Sequence, residues 1–152
     1  MINPNPQTRP TTMSDHAFEK KQLIRFHHCD PAGIVFYPQY LVIFDELIED
    51  WFNEGLGIDF AQFHARERVG IPAARLECDF LAPSKIGDML TLRLEVLHLG
   101  NASLKLGIEG HCQGQTRIRC IQVRVVAALD KLRSLPIPDD LRQRMARYRA
   151  PG

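Results

Sequence analysis

The sequence predicts an α+β domain in which an antiparallel five-stranded sheet wraps around one long central helix. The first observation is a segment of helical period, from residue 38 to 53, whose apolar face covers half of the helical wheel. The second is that apolar and polar residues alternate in one stretch before this segment and in four stretches after it. The third is the pair of turn dipeptides, Gly100-Asn101 and Gly114-Gln115, which separate the later strands.

The first strand is predicted over residues 19 to 28, where Ile24 and Phe26 share one face. The central helix follows a turn and is expected to end near Gly55 or Gly57, since glycine is a common C-cap. Its apolar face is wide enough to predict a helix that the sheet encloses. That face comprises Tyr40, Leu41, Ile43, Phe44, Leu47, Ile48, Trp51 and Phe52, and the opposite face comprises Asp45, Glu46, Glu49, Asp50 and Asn53.

Two short helices and four strands complete the predicted domain. One helix covers residues 59 to 68 with Asp59 as its N-cap, and a basic one covers residues 139 to 149. From about residue 71 the apolar period changes to the two-residue repeat of strands. The apolar positions of these strands are Leu76, Cys78 and Phe80, then Leu90, Leu92, Leu94 and Val96, then Leu104, Leu106 and Ile108, and finally Ile121, Val123, Val125 and Ala127.

The composition predicts one domain over residues 18 to 150, preceded by a disordered arm over residues 1 to 17 that is rich in Pro, Thr and Asn. Met13 is a possible alternative start. The net charge of +1 provides no general attraction for nucleic acid or an anionic membrane, and no apolar run approaches the ~20 residues of a membrane span. Four cysteines without a CxxC pair predict reduced thiols in a cytoplasmic protein.

Residues 26 to 40 hold the candidate chemistry. Asp30 precedes Pro31, which favours an extended backbone there, and Gly33 permits a positive φ. Pro38 suits the first turn of a helix. A carboxylate therefore precedes a helix N-terminus, whose free N–H groups favour negative charge. This pairing suits acyl transfer, in which the carboxylate attacks or activates water and the N–H groups hold an oxyanion.

Other functions were considered for the same residues. Asp-Pro commonly starts turns, so Asp30 also has a purely structural interpretation. His27, His28, Cys29 and Asp30 suggest a metal site or a Cys–His pair, but consecutive strand residues point to opposite faces and do not converge. We expect Cys29 to be a small buried thiol and His28 a histidine at the strand end. Glu46 is the alternative carboxylate if Asp30 is not catalytic.

The run from Asp30 to Pro38, Asp-Pro-Ala-Gly-Ile-Val-Phe-Tyr-Pro, followed by Gln39-Tyr40, resembles the signature of the hot-dog-fold acyl-CoA thioesterases. It is most similar to the 4-hydroxybenzoyl-CoA thioesterase branch, and the order of elements agrees over residues 19 to 145. The resemblance implies a hot-dog fold, homodimers joined edge to edge, homotetramers, and an active site at the dimer interface.

Residue roles follow from the resemblance by position. Asp30 would be the catalytic nucleophile or general base, and the backbone N–H of Tyr37 would polarise the thioester carbonyl. The implied substrate is an aromatic, 4-hydroxybenzoyl-like or a short acyl-CoA, split into free acid and coenzyme A. No metal and no cofactor beyond the coenzyme A of the substrate is implied. The substrate-binding residues would be Gly33, Phe36, Tyr40 and Ile71.

Two positions depart from the family pattern. Relatives carry basic residues for the coenzyme A phosphates where this chain has Gly100-Asn101-Ala102, so either other cations bind the phosphates or nucleotide binding is weaker. Ile71 replaces a polar residue near the aromatic ring, which weakens the prediction of a 4-hydroxybenzoyl substrate. A non-catalytic protein that binds acyl-CoA or acyl carrier protein is the alternative function. The candidate cations are Lys105, Arg117, Arg119 and Arg124.

Overall fold

The computed structural model describes residues 16–151 and confirms the predicted fold class. One antiparallel sheet of five strands encloses the central helix. Its strands are β1 (Phe18–Leu23), β3 (Ala73–Phe80), β4 (Met89–Leu99), β5 (Ser103–Cys112) and β6 (Gln115–Val125), in the spatial order β1-β4-β5-β6-β3. The predicted arm over residues 1 to 17 falls almost entirely outside the described residues.

The central helix α1 (Tyr37–Asp50) continues into a π-helical turn, Trp51–Leu56. Gly57 follows with a left-handed φ of 68°, which confirms the predicted C-cap. The apolar face of α1 is buried against the sheet, apart from the half-buried Leu41. Among the described residues, no helix is long and apolar enough to cross a membrane.

Smaller elements cover the ends of α1. Helix α2 (Phe60–Ala65) begins at Asp59, whose carboxylate accepts the Gln62 N–H at 3.1 Å, so the predicted N-cap is correct. A second sheet, which the sequence did not predict, contains β2 (Val69–Gly70), β7 (Ala127–Ala128) and β8 (Arg133–Ser134). Helix α3 is Asp139–Ala146.

The first strand is shorter than predicted. It ends at Leu23, and Phe26–His28 forms a 3-10 turn that leaves Phe26 84% exposed, although the alternation placed it beside Ile24. The turn forms because the Arg25 N–H donates to His28 Nδ1 at 2.8 Å and the Cys29 N–H donates to the Phe26 carbonyl at 3.1 Å. These local hydrogen bonds compete with the strand ladder.

The prediction for the apolar face of β6 is wrong. Gln122 and Arg124 point inward and are buried, whereas Ile121 and Val123 lie half-buried on the outer face. The register explains this, because Leu106 on the inner face of β5 lies directly opposite Gln122. Burial of the two polar side chains is tolerated since Arg124 Nε donates to Gln122 Oε1 at 2.9 Å.

Strand β3 forms one edge of the sheet and is open on its outer side within the described chain. Its inner face carries Leu76, Cys78 and Phe80 as the alternation predicts. Leu76 and Phe80 nevertheless remain 42% and 54% exposed. An apolar, unpaired edge strand of this kind is a surface on which another strand can add.

Candidate active site

Asp30 sits in a tight turn that fixes its carboxylate. Its backbone N–H donates to the Ile34 carbonyl at 3.0 Å, and the Gly33 N–H donates back to the Asp30 carbonyl at 2.9 Å. Gly33 adopts the expected positive φ, 81°. The Ala32 N–H donates to Asp30 Oδ1 at 2.8 Å. No hydrogen bond to Oδ2 is found among the residues that the structure describes, so this oxygen is the one available to a ligand.

The N-terminus of α1 supplies a hydrogen-bond donor beside this turn. Phe36 occupies the N-cap position without a side-chain cap, and its N–H donates to the His28 carbonyl at 2.9 Å. Within residues 16–151, no backbone carbonyl accepts the Tyr37 N–H, and the next residue, Pro38, has none. The Asp30 carboxylate and the Tyr37 N–H thus belong to two arms of one short hairpin.

Four aromatic rings lie together where this hairpin meets α1. The ring of Tyr37 lies 5.4 Å from that of Phe36 and 6.2 Å from that of Phe80, and Phe80 lies 6.1 Å from Tyr40. Tyr40 is buried and the other three rings are exposed; burial raises the pKa of the Tyr40 hydroxyl. These four residues form the aromatic cluster. Phe80 was not among the predicted site residues, because its alternation indicated only a strand face.

Ile71, the remaining predicted substrate residue, lies in a different place. It lines a cavity of about 390 Å³ together with Asp45, Phe60, His64 and Arg124 among others, and no residue of the Asp30 turn takes part. The cavity is mainly apolar with one ion pair, since Arg124 Nη2 lies 2.6 Å from Asp45 Oδ1. Within one chain, the predicted site residues therefore lie in two separate places. One is the hairpin with its aromatic cluster, and the other is the Ile71 cavity.

The structure removes two of the four cations proposed for the coenzyme A phosphates. Arg117 is buried and donates to the Pro83 carbonyl and to Asp88, at 2.9 Å each. Arg124 is equally buried and engaged with Asp45 and the Ile71 carbonyl. Both guanidinium groups already have protein acceptors, so neither is free to bind a phosphate. Lys105 and Arg119 lie on the outer face of the sheet, away from the cavity.

The neighbours of Asp30 have structural roles. His28 is buried, and its Nδ1 accepts the Arg25 N–H, which makes it a constituent of the 3-10 turn. Burial also raises the pKa of the half-buried Cys29 thiol. Glu46 lies on the exposed face of α1. Over residues 16–151, no group of three or more His, Cys, Asp and Glu side chains is arranged to hold a metal ion.

Comparison with known proteins gives the family. The sequence model of the Thioesterase-like superfamily matches residues 24–145, which include the turn, α1 and the whole of β3 to β6. The chain belongs to this superfamily. The suspected resemblance is thereby confirmed at the level of family and fold.

Individual members of the superfamily are similar to this chain over different lengths. A 1,4-dihydroxy-2-naphthoyl-CoA hydrolase of Acaryochloris marina is 37% identical over 76 residues, which are 50% of this chain and 55% of that relative. The chain thus spans little more than half of that protein's length. A 4-hydroxybenzoyl-CoA thioesterase of Pseudomonas sp. is 28% identical over 79% of this chain and 91% of its own. A solved gentisyl-coenzyme A thioesterase superposes with a TM-score of 0.77 at 27% identity, covering 84% of this chain and 99% of that one.

Proposed function

We propose that this protein hydrolyses acyl-CoA thioesters, with Asp30 as nucleophile or general base and the Tyr37 N–H as the donor to the thioester carbonyl. The observation that carries the proposal is the hairpin itself. It holds one carboxylate oxygen without a hydrogen bond and, seven residues later in the chain, one N–H without a backbone acceptor, in a chain of the Thioesterase-like superfamily.

An aromatic acyl group is the proposed substrate class. Three similar proteins are named for naphthoyl, hydroxybenzoyl and gentisyl thioesters of coenzyme A. The aromatic cluster beside Asp30 suits the same class, because aromatic rings favour edge-to-face and offset contacts with one another. Gly33, Phe36 and Tyr40 are proposed to contact the thioester end of the acyl group, and Ile71 its ring.

Two routes are consistent with this geometry. In one, Asp30 Oδ2 attacks the thioester carbon and the carbonyl oxygen takes up negative charge. The coenzyme A thiolate then departs, and water hydrolyses the acyl-aspartyl anhydride that remains. In the other, Asp30 removes a proton from water as the water oxygen attacks the same carbon. The oxyanion then collapses, the C–S bond breaks, and the coenzyme A thiolate leaves the free acid behind. The Tyr37 N–H stabilises the oxyanion in both routes, an effect of about 3 kcal/mol per donor. Neither route uses a cofactor beyond the coenzyme A of the substrate.

A second copy of the chain is proposed to complete the site. The lining of the Ile71 cavity includes Pro72, the residue before β3, and the aromatic cluster includes Phe80 at the other end of β3. Two β3 edges that pair antiparallel around a two-fold axis bring the start of one strand beside the end of the other. The cavity of one copy then adjoins the aromatic cluster and Asp30 of its partner, and the exposed Leu76 becomes covered.

We further propose a cytoplasmic location, which the four free cysteine thiols favour. Association of two such dimers into a homotetramer stays a prediction. Analytical ultracentrifugation of the purified protein measures both assembly steps directly.

The test of the proposed function is a thiol-release assay with benzoyl, hydroxybenzoyl, dihydroxynaphthoyl, phenylacetyl and short aliphatic thioesters of coenzyme A. Release is expected with at least one aromatic thioester. Asp30→Asn is expected to lower kcat about 100-fold or more, because the amide neither attacks the carbonyl nor accepts a proton from water. Binding of the reaction product should persist in this variant.

Asp59→Asn is the matched control. Asp59 also accepts a backbone N–H, at the start of α2, and asparagine is an equally good N-cap, so turnover should be unchanged. Near-normal turnover by Asp30→Asn would refute the role of Asp30. Tight binding of acyl-CoA without any release of thiol would instead favour a non-catalytic binding protein.

A further inference from the structure

We propose that Arg117 and Asp88 are positioning residues for this hydrolysis, holding the Asp30 turn and helix α1 in their mutual arrangement. They act through residues 83 to 88, the loop between β3 and β4, which we call the bracing segment. The inference rests on the proposed function. Its first support is that the guanidinium of Arg117, on β6, contacts Pro83, Ser84 and Asp88 of this segment.

Arg117 and Asp88 close the bracing segment upon itself. Arg117 Nη1 lies 2.9 Å from the Pro83 carbonyl, 3.2 Å from Ser84 Oγ and 2.9 Å from Asp88 Oδ2. The same carboxylate oxygen accepts the Lys85 N–H at 2.9 Å. The Lys85 N–H, and after it Arg117, hold the pKa of Asp88 below its usual value. A charged, partly buried pair thus fixes both ends of a loop that contains no regular secondary structure.

The bracing segment in turn holds the Asp30 turn. The Val35 N–H donates to the Ser84 carbonyl at 2.9 Å, and the Ile86 N–H donates to the Gly33 carbonyl at 3.4 Å. Ile34 and Lys85 form an antiparallel bridge between these contacts. The segment therefore behaves as an extra strand beside the turn, on the side opposite the Asp30–Ile34 hydrogen bond. Movement of the segment would move the Asp30 carboxylate with it.

Ser84 extends the same network to α1. It is fully buried, its hydroxyl lies 3.2 Å from Arg117 Nη1, and its side chain is close enough to the Tyr40 hydroxyl to oppose the rise in the pKa of Tyr40. Tyr40 lies one helical turn from the N-terminus that carries the Tyr37 N–H. The Asp30 turn thus contacts the Ser84 carbonyl, α1 contacts the Ser84 side chain through Tyr40, and Arg117 holds Ser84 in place.

Stability alone does not explain this arrangement. A buried ion pair often contributes little to stability compared with apolar residues of the same size, because both charges lose their hydration. Positioning is a stronger reason, since a displacement of about 1 Å in a catalytic group can cost about 100-fold in rate. The network links the Asp30 carboxylate and the Tyr37 N–H of the proposed site to Arg117 on β6. Both groups lie next to the bracing segment, although they are distant from β6 in the sequence.

The experiment compares Arg117→Met, Arg117→Lys and Asp88→Asn with the wild-type protein, using the best thioester substrate. Arg117→Met is expected to lower kcat about 10- to 100-fold with little change in KM. Hydrogen exchange of the amides in residues 29 to 36 should accelerate in parallel. Arg117→Lys should restore part of kcat, because its ammonium still pairs with Asp88. Asp88→Asn removes only the negative charge that pairs with Arg117. This variant tests the network if Arg117→Met fails to fold.

Arg144→Met is the matched control. Arg144 also holds a chain segment through a backbone carbonyl, that of Leu56 at 2.6 Å, but it does so at the end of the central helix opposite Tyr37. It should leave kcat unchanged. The proposal is overturned if a folded Arg117 or Asp88 variant keeps both wild-type kcat and wild-type exchange in residues 29 to 36. If the wild type releases no thiol, the proposed function fails, and the exchange data still report whether the network holds the turn.

Discussion

The carboxylate of Asp30 is positioned mainly by residues that lie next to it in the chain. Ala32 holds one oxygen, Gly33 turns the backbone, and Ile34 closes the hairpin. Such local contacts are available as soon as the turn forms. The carboxylate is therefore oriented before any ligand arrives, which reduces the entropy that binding must overcome.

Gly33→Ala tests this orientation. A Cβ at Gly33 meets no atom within 4 Å, so the substitution adds only the strain of a left-handed backbone, about 1 kcal/mol. We expect a small loss of stability and a clear loss of kcat. Gly114→Ala, in the β5–β6 turn with a similar φ of 75° and equal space, should lose the same stability and keep its activity. Equal kcat in the two variants would show that the turn tolerates distortion.

Cys120 provides a prediction for thiol reactivity. Burial, and then its neighbour Cys78, whose sulfur lies 3.1 Å away, raise the pKa of Cys120 to about 12. Compared with an ordinary thiol of pKa 9.0, the fraction of Cys120 present as thiolate is about a thousandfold lower at neutral to mildly alkaline pH. Iodoacetamide should therefore modify Cys120 far faster in urea than in the native protein. Peptide mapping by mass spectrometry measures this, and equal rates would contradict the burial of the thiol.

At the scale of elements, the 3-10 turn Phe26–His28 connects β1 to the candidate site. It depends on His28 Nδ1 as an acceptor, which requires an unprotonated nitrogen at that position. Burial first, and then the charges of His27 and Arg25, lower the pKa of His28. The neutral ring of His28 thus caps the turn, and its protonation makes the free energy of unfolding depend on pH.

The free energy of unfolding should fall as the pH drops through the unfolded value of His28, near 6.5, because the unfolded chain then binds a proton that the native chain does not. The loss ends below the lower folded pKa. His28→Gln should reduce this pH dependence in urea titrations at neutral and mildly acidic pH. His64→Gln, on the exposed surface of α2, should keep the wild-type dependence, and an unchanged slope in His28→Gln would contradict the assignment.

At the scale of the whole molecule, the open edge of β3 governs assembly. The Leu81 N–H donates to the Arg117 carbonyl of β6. Because N–H groups alternate in direction along a strand, the odd-numbered residues of β3 near Leu81 also direct their N–H groups toward β6. The N–H groups of the even positions, Leu76 among them, therefore point outward. This edge provides unpaired backbone groups together with exposed apolar side chains, both of which favour a paired strand.

Leu76→Pro removes one outward N–H and leaves the β6 ladder intact. We expect weaker dimers by sedimentation and a specific activity that falls on dilution, because the proposed site needs the partner's cavity. Glu77→Pro instead removes an N–H that faces β6 and should lower the melting temperature of the protomer. Wild-type sedimentation of Leu76→Pro at every concentration would contradict pairing through β3.

The sequence alone determined the central helix, its end near Gly55 or Gly57, the cap at Asp59 and the turn that presents Asp30. These features are local: each depends on a few neighbouring residues whose backbone preferences and apolar period agree. The family signature lies in the same stretch, so the fold could also be predicted from it.

Only the tertiary structure decided the inward direction of Gln122 and Arg124, the position of Phe80 beside Tyr37, and the link from Arg117 to the Asp30 turn. Each depends on the register between strands that are distant in the chain, and a shift of one residue reverses every side chain. Alternation indicates two faces without saying which is buried, and it does not show that β3 lies at an edge. Local preferences made the elements, and long-range pairing determined which of their side chains meet.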